Sequence, residues 1–329
     1  MNDKLYPLKF KPILKEKIWG GNKLATVLNK PQGNLQNIGE SWELSGFGED
    51  VSVVSNGFLQ DNTIEELIEV YMGDLVGDAV FSKFGTTFPL LFKFIEASDN
   101  LSIQVHPNDD IANKRHNSWG KTEMWYVLEA EPDAKLVAGF NCPMDRQKYL
   151  DHFNNGTLRD IVKWEQAKPG DVFFIPAGRI HSIGPNILLA EVQQSSDITY
   201  RIYDWDRVDA NGNSRELHTD WAVDAIDYSF SKEYRTPYVI NKNKSTKVVE
   251  NQYFTTNILD FDKEIEIDYG RLDSFVVYMA VEGKTLICAP GLDEPVEIAK
   301  GETVLIPAEM KEIELKPLSG NSRLLEVYI

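Results

Sequence analysis

Gln104-Val-His106-Pro107 and Gly170-Asp-Val-Phe-Phe-Ile-Pro176-Ala-Gly178-Arg-Ile-His181 contain the residues of this chain best suited to hold a metal. On a strand, residues i and i+2 point to the same side, so Gln104 and His106 share a face. The second segment reads as an apolar strand that ends in a Pro/Gly turn and resumes at His181. Lys121-Thr-Glu123-Met-Trp-Tyr126 offers a carboxylate, Glu123, as a further ligand. Two imidazoles, a carboxylate and an amide oxygen form a nitrogen/oxygen donor set that suits zinc or a similar first-row divalent ion. With no thiolate among Gln104, His106, Glu123 and His181, the set is that of a site with an open position for water or substrate, rather than a closed structural site.

Each of these residues has a plainer role to set against the chemical one. A single Gln-x-His is more often a buried, hydrogen-bonded histidine than a metal pair. The Pro-x-Gly-x-x-His turn after an apolar strand, with Glu123 between, shifts the balance to the metal. His116, His152 and His218 read as structural or surface residues. Trp19, Trp42 and Trp125 could be core aromatics, and Arg201 could brace the fold through Asp204 or Asp206. Lys93 lies between Phe92 and Phe94, so on a strand it faces away from both, toward a pocket or solvent.

Gly170-x5-Pro176-x-Gly178-x2-His181 resembles the second motif of the cupin superfamily. The first cupin motif, usually His-x-His with a glutamate a few residues on, is altered here to Gln104-x-His106 with Glu123 seventeen residues later. Gln-x-His-Pro, Lys-Thr-Glu-x-Trp-Tyr and Pro-Ala-Gly-x-x-His, in that order, resemble type I mannose-6-phosphate isomerases. So do Trp19-Gly-Gly, Gly39-Glu-Ser-Trp-Glu43, Leu91-Phe-Lys93 and Glu191-x9-Arg201, and the likeness spans residues 6 to about 218. It implies zinc, one per chain, and a sugar-phosphate substrate. The reaction implied is a D-mannose 6-phosphate to D-fructose 6-phosphate isomerisation through a cis-enediol. Arg201, Glu191 and Lys121 are then the catalytic candidates, with the proton-transfer group open between Glu191 and Lys121. Lys93, Trp19 and Glu43 are the substrate-binding candidates. Another cupin sugar isomerase, or a metal cupin that binds sugars without turnover, are the competing readings.

The elements needed to position these residues are mainly short strands: Leu136 to Phe140, Val172 to Ile175, Leu188 to Val192, Phe275 to Val281 and Val304 to Ile306. Thr63-x-x-Glu66 is a capping box ahead of Ile64, Leu67, Ile68 and Tyr71 at helical spacing, so a helical insert is expected over about 62–84. A second is expected over 143–163. Polar sequence around Arg235-Thr-Pro and Asn241 to Lys247 marks a boundary between a catalytic domain, 1–240, and a second domain, 241–329.

An internal echo joins the two. Gly170-Asp-Val-Phe-Phe-Ile-Pro176 aligns with Gly301-Glu-Thr-Val-Leu-Ile-Pro307, and Tyr126-Val-Leu with Tyr278-Met-Ala. From tyrosine to glycine the first copy takes 44 residues and the second 23, a difference that the helical stretch 143–163 accounts for. The expectation is two cupin-like jelly-roll barrels, mainly β, with a small helical insert in the first. The second has Glu309 and Met310 after its proline and no histidine beyond His218, so it should bind no metal.

A net charge of −17 argues against nucleic acid or anionic lipid as partner, since both need a basic footprint. Phosphate would have to be held locally, by cations such as Lys93, Lys121, Arg179 and Arg201. No apolar run is long enough to cross a bilayer, and the N-terminus lacks the pattern of a secretory signal. Cys142 and Cys288 stand far apart outside any Cys-x-x-Cys pattern. A cytoplasmic monomer or homodimer is expected.

Overall fold

The computed structural model describes residues 4–208, 212–292, 294–318 and 320–329. Side-chain alternation explains why its central strands persist. In Leu90–Ala97 every residue is buried. Phe92 and Phe94 enter a core shared with Ile258, Val277 and Leu325 from the C-terminal part. Ile95 and Ala97 point the other way, toward Trp125, Phe173 and Leu189. The strands Glu123–Ala130 and Ile187–Gln194 divide in the same manner: Met124, Tyr126, Ala190 and Val192 face the shared core, Trp125, Val127 and Leu189 the inner one. Polar residues on the inner face therefore enter a closed interior.

The fold is cupin-type and mainly β, with antiparallel pairing throughout the described strands. In the first barrel a six-stranded sheet runs in the order Val172–Ile175, Glu123–Ala130, Ile187–Gln194, Leu90–Ala97, Ile38–Leu44, Ile13–Gly21. It faces a five-stranded sheet ordered Val162–Gln166, Lys135–Phe140, His181–Ile183, Ile103–Val105, Tyr200–Tyr203. The second barrel pairs a six-stranded sheet with a four-stranded one, the latter ordered Ile265–Asp268, Glu312–Pro317, Lys284–Cys288, Val296–Ala299. Its larger sheet starts with Leu8–Lys9, paired to Thr303–Ile306, so an N-terminal strand crosses the boundary placed near residue 240.

Thr63 caps Ile64–Val76 through the reciprocal Glu66 contacts, and that helix with Asp78–Phe84 fills the first expected insert. The second holds Arg146–Asn154 and a short 3-10 turn, Leu158–Asp160, but gives way to strand at Val162. Helices also form outside the expected inserts, at Asp109–His116, Thr219–Ala225 and the single turn Lys23–Thr26. The first is almost wholly polar and depends on Asn108 accepting from Ile111 N at 3.0 Å, which leaves little apolar rhythm to read.

Strand register corrects the internal alignment by one residue. Phe173 pairs with Trp125 and Ile175 with Glu123, while Val304 pairs with Tyr278 and Ile306 with Val276. With Gly170 matched to Gly301, Tyr278 corresponds to Trp125, not Tyr126, and Glu123 to Val276. A one-residue slip reverses every side chain: Tyr126 faces the shared core, Tyr278 the interior of its own barrel.

Candidate metal centre and its cavity

Three chain segments deliver the ligand candidates to one interior. His106 follows the strand Ile103–Val105, Glu123 opens Glu123–Ala130, and His181 opens His181–Ile183. The turn before His181 needs a glycine: Gly178 has φ +91°, and a Cβ there would lie 3.0 Å from Ala225 O. Gly178 N also donates to His106 O at 2.9 Å, which ties the two histidine segments together.

His106, Glu123 and His181 are all buried, and one potential ligand atom from each lies within 4.8 Å of the others. His106 Nδ1 lies 2.9 Å from Ile198 O and His181 Nδ1 2.8 Å from Arg179 O. Carbonyls only accept, so each ring carries its proton on Nδ1 and turns an Nε2 lone pair toward Glu123, at 3.4 and 3.5 Å. Burial, with the Lys121 charge, pushes His106 down to about 3. Burial likewise lowers His181, against the pull of Glu123. Burial works to raise Glu123, but Lys121 and His106 outweigh it and hold the carboxyl well below its ordinary value. Two neutral imidazoles and one carboxylate are the protonation states a divalent ion requires. Glu123 Oε1 is buried with no hydrogen-bond partner among the described residues, an orphan that a cation would satisfy.

Gln104 sits beside this group, with Nε2 3.2 Å from His181 Nε2 and Oε1 accepting from Ser102 Oγ at 3.1 Å. The amide must turn over to present its oxygen, an interchange of nearly isosteric atoms.

A cavity of about 240 Å³ opens beside the ligands, and Gln104, Lys121, Glu191, Lys93 and Arg201 all line it. Lys121 Nζ is 2.5 Å from Glu123 Oε2 and 3.1 Å from His106 Nε2. Glu191 Oε2 accepts from Trp125 Nε1 at 2.8 Å, while Oε1 has no hydrogen-bond partner. Burial and then the Glu123 charge raise the Glu191 pKa, and the lysines only partly offset them. Lys93 Nζ lies 3.5 Å from Glu191 and 3.9 Å from Glu40, and their charges hold it protonated against burial. Arg201 donates to Glu216 O at 2.7 Å and leaves a buried Nε without a hydrogen-bond partner among the described residues. It does not brace Asp204, which Arg207 and Arg215 occupy, nor Asp206, which accepts from Tyr203 Oη.

Two substrate-binding candidates lie elsewhere. Glu43 is in a buried ion pair with Lys30, 2.6 Å away, and Lys30 also donates to Gly301 O in the second barrel. Trp19 is packed in the inner core. Glu40 takes the place expected of Glu43 and lines the cavity, as do Lys17, Asp197 and Arg215. Parity held the signal: Trp42 pairs with Lys93, so Glu40, two residues from Trp42, shares the face that Lys93 uses. Burial raises the Glu40 pKa, but Lys93, Lys17 and the Trp42 N–H outweigh it and hold it at about 2. His116, His152 and His218 pair with Tyr200, Thr157 and the Arg201 amide, outside the ligand group.

Fold and site together define a cupin-type protein whose first barrel buries a His/Glu/His group able to hold a metal, with a second barrel attached. The sequence model described as phosphomannose isomerase type I, catalytic domain, matches residues 7–135. Mannose-6-phosphate isomerase ManA of Bacillus subtilis is 34% identical over 317 residues, covering 94% of this chain and 96% of that one. A mannose-6-phosphate isomerase of Streptococcus mutans is 30% identical over 93% of each chain. The crystal structure of a Bacillus subtilis mannose 6-phosphate isomerase superposes with a TM-score of 0.87 at 30% identity, covering 99% of this chain and 100% of that one. The chain belongs to the type I mannose-6-phosphate isomerase family.

Proposed function

We propose that the protein is a zinc-dependent isomerase that interconverts D-mannose 6-phosphate and D-fructose 6-phosphate through a cis-enediol. The observation that carries this reading is the buried His106–Glu123–His181 group, with its orphaned Glu123 oxygen, in contact with Lys121 and Gln104 of a cavity also lined by Glu191 and Arg201. His106, Glu123, His181 and the turned amide of Gln104 would hold the ion. Bound there, a divalent cation would stabilise the negative charge that develops on the C1 and C2 oxygens.

The remaining work falls to the chain's own groups. Glu191 keeps one oxygen, Oε1, free of hydrogen bonds among the described residues and 3.5 Å from Lys93 Nζ, and Trp125 holds its other oxygen in place. As a carboxylate it removes the C2 proton of the aldose and returns it to C1. A pKa raised by burial moves the carboxyl toward the neutral range in which a base both accepts and releases a proton readily. Lys121 gives a proton to O1 and recovers one from O2. Arg201 adds a permanent positive charge beside the enediolate. Lys93 and Glu40 face the same space and offer a donor and an acceptor for sugar hydroxyls.

Two unpaired cysteines, Cys142 and Cys288, fit a reducing cytoplasm, and no helix among the described residues is long and apolar enough to cross a membrane. A coupled assay following fructose 6-phosphate from mannose 6-phosphate, before and after chelation and on zinc return, tests the proposal. Turnover that stops with the chelator and resumes with zinc is expected. Undiminished turnover by metal-free protein would rule out the metal's part, and metal and sugar binding without turnover would favour a non-catalytic sugar-binding cupin.

A further inference from the structure

Among its contacts with the first barrel, the second reaches the segment that carries Lys121 through one carboxylate, Asp109. Tyr253 sits in the turn between the strands Ser245–Glu250 and Thr255–Phe261, where Asn251 Oδ1 accepts from its amide at 2.8 Å. Its hydroxyl donates to Asp109 Oδ2 at 2.6 Å. The other oxygen, Asp109 Oδ1, accepts from Gly120 N at 2.8 Å and from Gln194 Nε2 at 3.0 Å. Gln194 in turn accepts from Thr122 N at 2.8 Å through its own amide oxygen. The amides of Gly120 and Thr122, the residues on either side of Lys121, are therefore held by one small network. Close contact tightens it: a Cβ on Gly120 would lie 2.7 Å from the Asn108 carbonyl carbon and the Asp109 amide, so only glycine lets this loop approach the start of the helix Asp109–His116.

Asp109 thus joins four pieces of chain: the segment leaving His106, the segment entering Lys121 and Glu123, the end of the strand carrying Glu191, and the second barrel. We propose that Tyr253 is a positioning residue: by fixing the Asp109 carboxylate it sets the backbone from which Lys121 reaches into the cavity. The inference rests on the isomerase reading for its kinetic consequence, though not for the mechanical link. Burial and the Asp109 charge push the Tyr253 hydroxyl up to about 12, so it stays a donor throughout the neutral range. The barrels are docked by a large shared apolar core that includes Phe254, so removing one hydroxyl should leave them docked.

The test uses the full chain carrying Tyr253→Phe, Asp109→Ala, or both, with hydrogen exchange at Gly120 and Thr122 read beside kinetics and bound zinc. Tyr253→Phe should lower kcat about 10-fold, since small misplacements of a reacting group cost this much or more. KM and zinc content should stay within about twofold, and both amides should exchange faster. Adding Tyr253→Phe to Asp109→Ala should change little more, because both remove one network. A kcat within about twofold of wild type, or unchanged exchange at both amides, would overturn the proposal. If the wild-type protein shows no isomerase turnover, the functional reading fails, and exchange alone then decides the link.

Discussion

Where the first barrel places Glu123 opposite Ile175, the second places Val276 opposite Ile306. The second barrel's interior around Val276 is filled by apolar and aromatic side chains, Ile313, Leu315, Tyr269 and Tyr278 among them. Yet one carboxylate survives. Glu191 lies opposite Trp125 and Lys93; Glu326 lies opposite Tyr278 and Asn257. Glu326 is saturated, accepting from Tyr269 Oη, from Ser245 Oγ at 2.6 Å and from Asn257 Nδ2 at 2.7 Å. Burial raises both tyrosines well above their ordinary values, so they remain donors. Glu191 keeps one oxygen without a hydrogen bond. The same position in the same fold is thus a structural knot when both oxygens accept hydrogen bonds, and a chemical group when one oxygen accepts none.

The comparison is broken most sharply by moving the second barrel's residue into the first. Glu123→Val should take bound zinc from one per chain to nearly none and lower kcat/KM by at least about 10³-fold, by metal analysis and coupled assay. His106→Ala should behave alike. Retained zinc in both would show that the ligand group is misassigned. Glu191→Gln should keep the zinc but lower kcat by about 10² to 10³-fold. Its counterpart Glu326→Gln should leave kcat within about twofold and reduce unfolding free energy by about 1–3 kcal/mol in urea titration, because an amide N–H then faces donors. Equal kinetic losses in the two variants would erase the distinction drawn here.

Arg201→Lys should lower kcat and kcat/KM by similar factors, about 10-fold or more, if its charge acts mainly in the transition state. A loss confined to KM would move Arg201 to the substrate phosphate. Acid stability offers a smaller effect. Glu40 is depressed to about 2 from an ordinary 4.5, so its contribution is complete above pH 4.5 and is lost as pH falls toward 2. The loss amounts to about 3 kcal/mol. Glu40→Gln should flatten that limb of the pH–stability curve, and an unchanged limb would remove Glu40 from the account. The smallest effect is expected in the second barrel, where Glu309 accepts from Leu5 N at 3.1 Å. Glu309→Ala should cost about 1 kcal/mol and leave zinc stoichiometry at one.

Much of this was legible from local pattern. Period-two alternation, the Gly-x5-Pro turn and the Thr63–Glu66 box depend on near neighbours, and they led to strands, barrels and a helical insert that the structure contains. The ligand candidates His106, Glu123 and His181 were legible for a related reason, since each sits beside a turn whose chemistry fixes its direction. The polar helix Asp109–His116 was not, because its cap and its packing against Gly120 matter more than any apolar rhythm.

The chain's own order determined which residue types could meet in each barrel and that the second lacks histidines altogether. Only the tertiary structure decided that Glu40, rather than Glu43, enters the cavity, since strand parity is set by pairing with Lys93 and its neighbours. It also decided that Tyr278 answers to Trp125 and that Glu191 and Glu326 are counterparts. Register is fixed by hydrogen bonds between distant strands and by which face meets the shared core, and neither is written in the spacing of residues along one strand.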